Sequence, residues 1–179
     1  MGLTSPPTPA KLIAGLLVFK PEENRERVLK RLEAQFGPID NVTGGHIFDK
    51  STYYEKEMGR PLFRYFISFS TLVPPDSLPG IKLKTNEIES EFLNERGGRG
   101  VNIDPGILTL QNLVLATTKN YTHRIYLGRG IYADLTLIFQ KGGYQPLPWT
   151  YPDYRDEETR DFFFAVREIY KNQMKGTPP

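Results

Sequence analysis

The chain has no cysteine. That excludes disulfides, thiolate metal centres and a cysteine nucleophile, and it fits a reducing compartment. Histidine is nearly as scarce, with only His46 and His123. A serine-histidine triad is therefore poorly supplied with bases, and no GxSxG elbow occurs. Long apolar runs are missing. The longest, LIAGLLVF at 12–19, falls far short of the roughly 20 residues that span a bilayer. An excess of one charge is also missing. There are 23 Lys and Arg against 21 Asp and Glu, so no long basic stripe marks a dedicated nucleic-acid binder. MGLTSPPTPA lacks a basic segment followed by an apolar run, so no secretory signal is expected. These absences together lead to the expectation of a cytoplasmic protein with no membrane contact.

What is present describes one globular unit. A chain of 179 residues suits a single domain with its own core. The expected domain is 11–174, between disordered tails at 1–10 and 175–179. KLIAGLLVF (11–19) reads as a strand buried on both faces. Pro21, Glu22 and Glu23 open a helix that repeats Val28, Leu29, Leu32 and Phe36 and closes at Gly37. NVTGGHIFD (41–49) reads as one strand weakened by its glycine pair. Thr52 and Glu55 form a capping box for a short helix ending near Gly59. LFRYFISFS (62–70) is an alternating strand, with Leu62, Arg64, Phe66 and Ser68 on one face. VPPDSLPG (73–80) reads as a loop, and Asn86…Glu89 as a second capping box. VNID (101–104) is a strand that runs into DPG (104–106), a type II turn signature. TLQNLVLATT (109–118) suits a short helix or a buried strand. DEETRDFFFAVREIYKNQM (156–174) is an amphipathic helix. The order predicts an α+β fold, a ferredoxin-like antiparallel sheet with helices on one face, extended by a C-terminal β-hairpin and helix.

The hairpin is THRIYLGRGIYADLTLIF (122–139). A loop of Gly128-Arg129-Gly130 separates its faces cleanly. Leu127 then opposes Ile131, and Ile125 opposes Ala133. On the other face Tyr126 opposes Tyr132, and Arg124 opposes Asp134. The cross-strand ion pair is read either as structural, contributing about 0.2–1 kcal/mol, or as part of a ligand site.

Phosphate-binding motifs are absent. TGGHIFDKST and RGGRG both fail the GxxxxGK[ST] pattern, and GRGIYA holds only the first two glycines of GxGxxG. Neither histidine has Ser or Thr two positions on, which argues against two-histidine phosphoesterase chemistry. Asp104 and Asp134, with Asp49 or Glu87, are candidate Mg²⁺ ligands for a phosphate-ester enzyme. KNYTHR (119–124) and PWTYPDYR (148–155) interleave basic and aromatic residues, which suits an RNA- or protein-interaction surface around Trp149 and Tyr151. The leading expectation is a binding domain for a nucleotide or other phosphorylated small ligand on the polar face of the hairpin. Lys119, His123 and Arg124 would hold the anion, Tyr126 and Tyr132 a flat moiety, and Asp104 and Asp134 would orient it.

The stretch NIDPGILTLQNLVLATTKNYTHRIYLGRGIYADLTLIF, with YYEKEMG, RYFISF, IKLKTNEIE and TYPDYR, resembles a family of small bacterial cytosolic proteins grouped as a domain of unknown function. The resemblance covers nearly the whole chain. Members sometimes carry a GTP-binding label by automated transfer, and the P-loop that would support that label is missing here. The resemblance implies that the DPG stretch and the hairpin act as one unit, and it carries over no functional residue.

Overall fold

The computed structural model describes residues 2–175. Of the expected tail at 175–179, Lys175 ends a helix, and 176–179, like Met1, lie outside the described residues. The chain is a mixed helix-and-strand protein built on one open antiparallel sheet. Strand β1 (Ala10–Phe19) lies at its centre and is buried from Ala10 to Val18. Leu12, Ala14, Leu16 and Val18 join one apolar cluster and Ile13 joins another. A strand that is apolar on both faces needs cover on both, and it receives it.

Helix α1 (Pro21–Phe36) follows, with Pro21 and two acids in its first turn. Gly37 closes it at φ 94°, its N–H donating to the Glu33 carbonyl at 2.9 Å. The segment expected as one strand is two, β2 (Ile39–Val42) and β3 (His46–Ile47). Both pair with β4 (Leu62–Val73). The glycines between them interrupt the ladder, and a Cβ on Gly45 would lie 2.4 Å from the Tyr65 ring. Helix α2 (Glu55–Met58) does end at Gly59, but no side chain caps its start. The Glu55 N–H donates instead to the Thr52 carbonyl at 3.1 Å.

The second capping box is corrected more strongly. After a 3-10 turn at Pro75–Ser77, helix α3 spans Leu78–Glu89. Pro79 stands in its first turn, where a missing N–H costs nothing. Asn86 and Glu89 therefore belong to its end. Residues 73–80 are thus a helix entry more than a loop.

The expected DPG turn is not a turn. Asp104, Pro105 and Gly106 run inside β5 (Val101–Leu108), paired with β1 as Gly15↔Asp104, Ala14↔Pro105 and Ile13↔Gly106. The ambiguous stretch 109–118 contains strand β6 (Asn112–Thr117). The hairpin is β7 (Arg124–Gly128) and β8 (Ile131–Gln140), in the register Arg124↔Asp134, Ile125↔Ala133 and Tyr126↔Tyr132. Only its tip differs. Ile131 opposes Gly128, and Leu127 is bulged out. Arg129 and Gly130 make the turn at φ 57° and 78°, with Gly128 at φ 107°. A primed two-residue turn matches strand twist, and the bulge absorbs the extra residue. Strand β9 (Gly143–Pro146) folds back on β8, and helices α4 (Pro152–Arg155) and α5 (Glu157–Lys175) close the described chain.

The sheet order is β2-β4-β1-β5-β6-β8-β7, with β3 beside β4 and β9 beside β8. Val28 and Leu32 of α1 and Ile81 and Ile88 of α3 pack on one face. Tyr154 of α4 and Phe163, Val166 and Tyr170 of α5 pack on the other with Ile13 and Phe66. The C-terminal helix is thus the cover of the second face. Lys11, fully buried, reaches the Asp40 carboxylate and donates to Gln173 Oε1 at 2.8 Å, tying the end of α5 to the strand core.

Candidate functional site

The site arises where two neighbouring strands stop pairing. The β5–β6 ladder consists of Gly106↔Leu115, Ile107↔Val114 and Leu108↔Leu113. The next residue on β5 is Pro105, which has no N–H to offer. Pairing to β6 ends there, while β5 continues along β1 and β6 continues along β8 to Thr117↔Tyr132. Helix α3 caps the exposed edge of β5. Lys82 Nζ donates to the Ile103 carbonyl at 2.7 Å, and Glu89 Oε1 accepts the Ile103 N–H at 2.7 Å. Two charged side chains thus stand in for a missing strand.

A cavity of about 310 Å³ opens beside this break. Asp104 of β5 and Leu115, Ala116 and Thr117 of β6 line it, with Asp134 of β8. The segment from Phe48 to Tyr54, Lys119, and Tyr151 to Tyr154 complete the walls. Arg64 of β4 forms its charged floor and is 4% exposed. Its Nη2 lies 2.5 Å from Asp153 Oδ2, and its Nη1 lies 3.8 Å from Asp104 Oδ2. Its guanidinium sits 5.3, 5.4 and 5.9 Å from the ring centres of Phe48, Phe66 and Tyr154. Arg64 Nε and Nη1 and the Tyr154 hydroxyl are buried without hydrogen-bond partners. Unpaired buried donors are costly and uncommon. Gly15 makes room for this group, since a Cβ there would fall 2.6 Å from the Tyr154 hydroxyl oxygen and 3.2 Å from Arg64 Nη1.

Asp104 is the least committed carboxylate in the cavity. Its Oδ2 accepts from Asn102 Nδ2 at 3.0 Å, and its Oδ1 lies 4.0 Å from Lys82 Nζ. At the mouth, Lys119 Nζ donates to the Tyr53 hydroxyl at 2.7 Å and lies 4.4 Å from the Tyr53 ring centre. That hydrogen bond lowers the Tyr53 phenol below its ordinary value. Burial pushes the phenols of Tyr54, Tyr151 and Tyr154 upward. For Arg64, burial opposes the charge, but Asp153, Tyr154 and Asp104 outweigh it and the guanidinium is held more firmly protonated.

Of the residues singled out from sequence, Asp104, Lys119 and Asp134 line this cavity. Arg124 stands behind it with its donors engaged. Its Nε donates to Asp134 Oδ2 at 2.9 Å, Nη1 to the Lys119 carbonyl at 2.9 Å and Nη2 to the Tyr151 hydroxyl at 2.8 Å. His123 Nε2 lies 3.3 Å from the same Asp134 oxygen, and its ring stacks on Trp149 with centroids 4.8 Å apart. Trp149 Nε1 donates to the Leu135 carbonyl at 2.8 Å. Tyr126 and Tyr132 pair with each other at 5.2 Å, away from the cavity lining. Asp134 therefore spends its carboxylate on the hairpin. The described residues bring together no group of three or more His, Asp or Glu suited to a metal ion.

Sequence reasoning passed over Arg64, Asp153 and Tyr154. The available signal was Arg64 itself, a lone charge on a strand face otherwise made of Leu62, Phe66 and Ser68. A larger open cleft of about 860 Å³ lies near the start of α1. Its charges largely neutralise one another, Lys20 with Glu23 and Glu95, and Arg60 with Glu55. It lacks a buried polar group without a partner.

Residues 8–170 match the model of a family described as a domain of unknown function (DUF4416). No curated protein and no solved structure matches the chain. No helix among the described residues is long and apolar enough to cross a membrane.

Proposed function

The chain belongs to the DUF4416 family, and we propose that its domain binds a nucleotide or other phosphorylated small ligand in the cavity beside Asp104. The observation that carries this reading is Arg64. A guanidinium that is 4% exposed keeps two donors unpaired on the wall of a cavity of about 310 Å³. Asp153 at 2.5 Å offsets its charge, so the pull on an anionic group comes from its unpaired donors and from Lys119. Lys119 and Lys50 stand on the same lining and add cationic character. Tyr53, Tyr54 and Tyr151 provide aromatic walls for a flat moiety. Asp104 offers its free oxygen to a ligand hydroxyl or N–H. Arg124, His123 and Asp134 support the wall from behind, and Tyr126 and Tyr132 belong to the hairpin edge.

The order β2-β4-β1-β5, with α1 and α3 in the two crossovers, supports a ferredoxin-like core. The absence of cysteine supports a reducing, cytoplasmic setting.

A thermal-shift panel tests the binding reading. It uses nucleoside phosphates, sugar phosphates, inorganic phosphate, Mg²⁺ and a short RNA on wild type, Asp104→Asn and Lys119→Ala. A ligand at about 100 Kd stabilises by about 2.7 kcal/mol, which is roughly 5–11 °C for a chain of this size. The expected result is a shift with one phosphorylated class that shrinks in both variants. A flat panel, or a shift that neither variant changes, overturns the assignment.

A further inference from the structure

The charged groups that line the cavity are not equally committed. Lys50 pairs with Asp156 at 3.1 Å, Asp134 with Arg124 at 2.9 Å, and Arg64 with Asp153 at 2.5 Å. Lys119 and Asp104 stand outside these pairs. Lys119 makes no ion pair among the described residues, and it bonds the Tyr53 hydroxyl at 2.7 Å. An ammonium carries three donors, so it has capacity for an anion. Asp104 has only distant cations, Arg64 Nη1 at 3.8 Å and Lys82 Nζ at 4.0 Å.

Asp104 is also fixed in its role. Arg99 Nη1 donates to Asn102 Oδ1 at 2.9 Å, so the amide turns its Nδ2 toward Asp104 Oδ2, 3.0 Å away. Asn102 is 4% exposed, and turning it over would set its N–H groups against those of Arg99. One carboxylate oxygen is thereby filled, and Oδ1 is left as an acceptor.

Few groups suit that acceptor. A phosphate would bring another negative charge beside Asp104 and the nearby Asp153. An ammonium would join Arg64 and Lys82, which already flank Asp104. An uncharged donor remains. A hydroxyl answers best, because it donates to a carboxylate and also accepts from a guanidinium or a phenol. Both kinds of donor, Arg64 and the Tyr154 hydroxyl, are buried without partners on the same floor. Of the two sources of pull on an anion, Arg64 stands among carboxylates and Lys119 does not.

We propose that the ligand is a phosphate monoester of a polyhydroxyl body, bound with a hydroxyl on Asp104 and its phosphate outward on Lys119. A sugar phosphate and a nucleoside monophosphate share this chemistry. The proposal rests on the phosphorylated-ligand reading above and gives that ligand a direction. With Lys119 as the lining cation outside an ion pair, one phosphate suits the mouth and a triphosphate gains little.

Calorimetric titration of the whole chain with matched probes is the test. Ribose 5-phosphate is set against its 2-deoxy counterpart, and adenosine monophosphate against its dideoxy counterpart, with inorganic phosphate alongside. In at least one pair the fully hydroxylated member should bind about tenfold or more tightly. Which pair binds separates a free sugar phosphate from a nucleotide. Asp104→Asn should narrow the gap within that pair. Lys119→Ala should weaken both members alike and keep the gap. Deoxy members that bind wild type as tightly as their partners overturn the proposal while phosphorylated-ligand binding stands, and this comparison needs no variant to fold. Inorganic phosphate that binds Asp104→Asn more tightly than wild type also overturns it, since the phosphate would then lie beside Arg64. If no phosphorylated probe binds, the parent reading falls and this one with it.

Discussion

Glu89 and Ile103 are joined by a 2.7 Å hydrogen bond in which a helix carboxylate takes the place of a strand carbonyl. Lys82 from the same helix supplies the matching donor to the Ile103 carbonyl. Both side chains are nearly inaccessible, at 7% and 5%. Glu89→Leu should therefore leave the Ile103 N–H unpaired, at about 1–3 kcal/mol for that group alone. It also strips Arg99 of a 2.7 Å partner. Glu89→Gln retains an acceptor and should lose clearly less. Urea unfolding separates the two, and equal losses would show that the carboxylate is not replacing a strand.

The Arg64–Asp153 pair should behave as a buried ion pair. Removing one partner strands a charge, which costs about 3–5 kcal/mol. Asp153→Ala is expected in that range. Arg64→Met combined with Asp153→Leu should cost well below the sum of the single changes, because the stranded charge disappears. Additive losses in a denaturant cycle would mean that the two groups act independently.

Gly15 is where the second helix layer meets the central strand. Its φ is ordinary, so the constraint is space. Gly15→Ala should push on the Tyr154 hydroxyl and Arg64, costing about 1–3 kcal/mol as overpacking. Near-ultraviolet circular dichroism should report the movement of Tyr154. An unchanged spectrum and melting temperature would show that the cavity floor yields freely.

Tyr53 should titrate apart from the buried Tyr54, Tyr144 and Tyr154. Tyr54, Tyr144 and Tyr154 are raised above the ordinary value of 10 by burial. Their contribution to stability is complete below that pH and is lost as pH rises through the folded values, so the fold should weaken in strong alkali. Tyr53 shifts the opposite way because Lys119 bonds its hydroxyl. Its linked contribution exists only above the unfolded value and vanishes as pH falls, so it is silent at neutral pH. Phenolate absorbance should show an early component that Tyr53→Phe removes and Lys119→Met moves upward. Identical curves would break the Tyr53–Lys119 link.

The hairpin register was legible from residues 124–134 because only one pairing separates apolar Ile125 and Ala133 from Arg124 and Asp134. Helix α1 was legible for the same kind of local reason, with Pro21, the two acids and Gly37 all agreeing. The Asp104-Pro105-Gly106 stretch misled because its turn chemistry is real but is outweighed by pairing to β1, and that pairing is set by residues far away in the chain. Asn86 and Glu89 misled likewise, since their spacing fits a cap while tertiary contacts use Glu89 to close a strand edge. Asp104, Lys119 and Asp134 were found as polar residues near the hairpin. Arg64, Asp153 and Tyr154 were not, because their role depends on α4 folding back over β4. No local pattern announces that contact.

The three rungs between β5 and β6 make Pro105 a seam. Two blocks of sheet, each broadly paired within itself, share a narrow join, with α3 and the cavity wall spanning what remains. Such a join is where amide protons should exchange by opening of one block without loss of the other. Mechanically, the molecule resembles two stiff plates on a short weld. The cavity lies at the end of that weld, and the cluster of Ile13, Phe66, Leu113, Leu137 and Phe163 ties the two plates together across it.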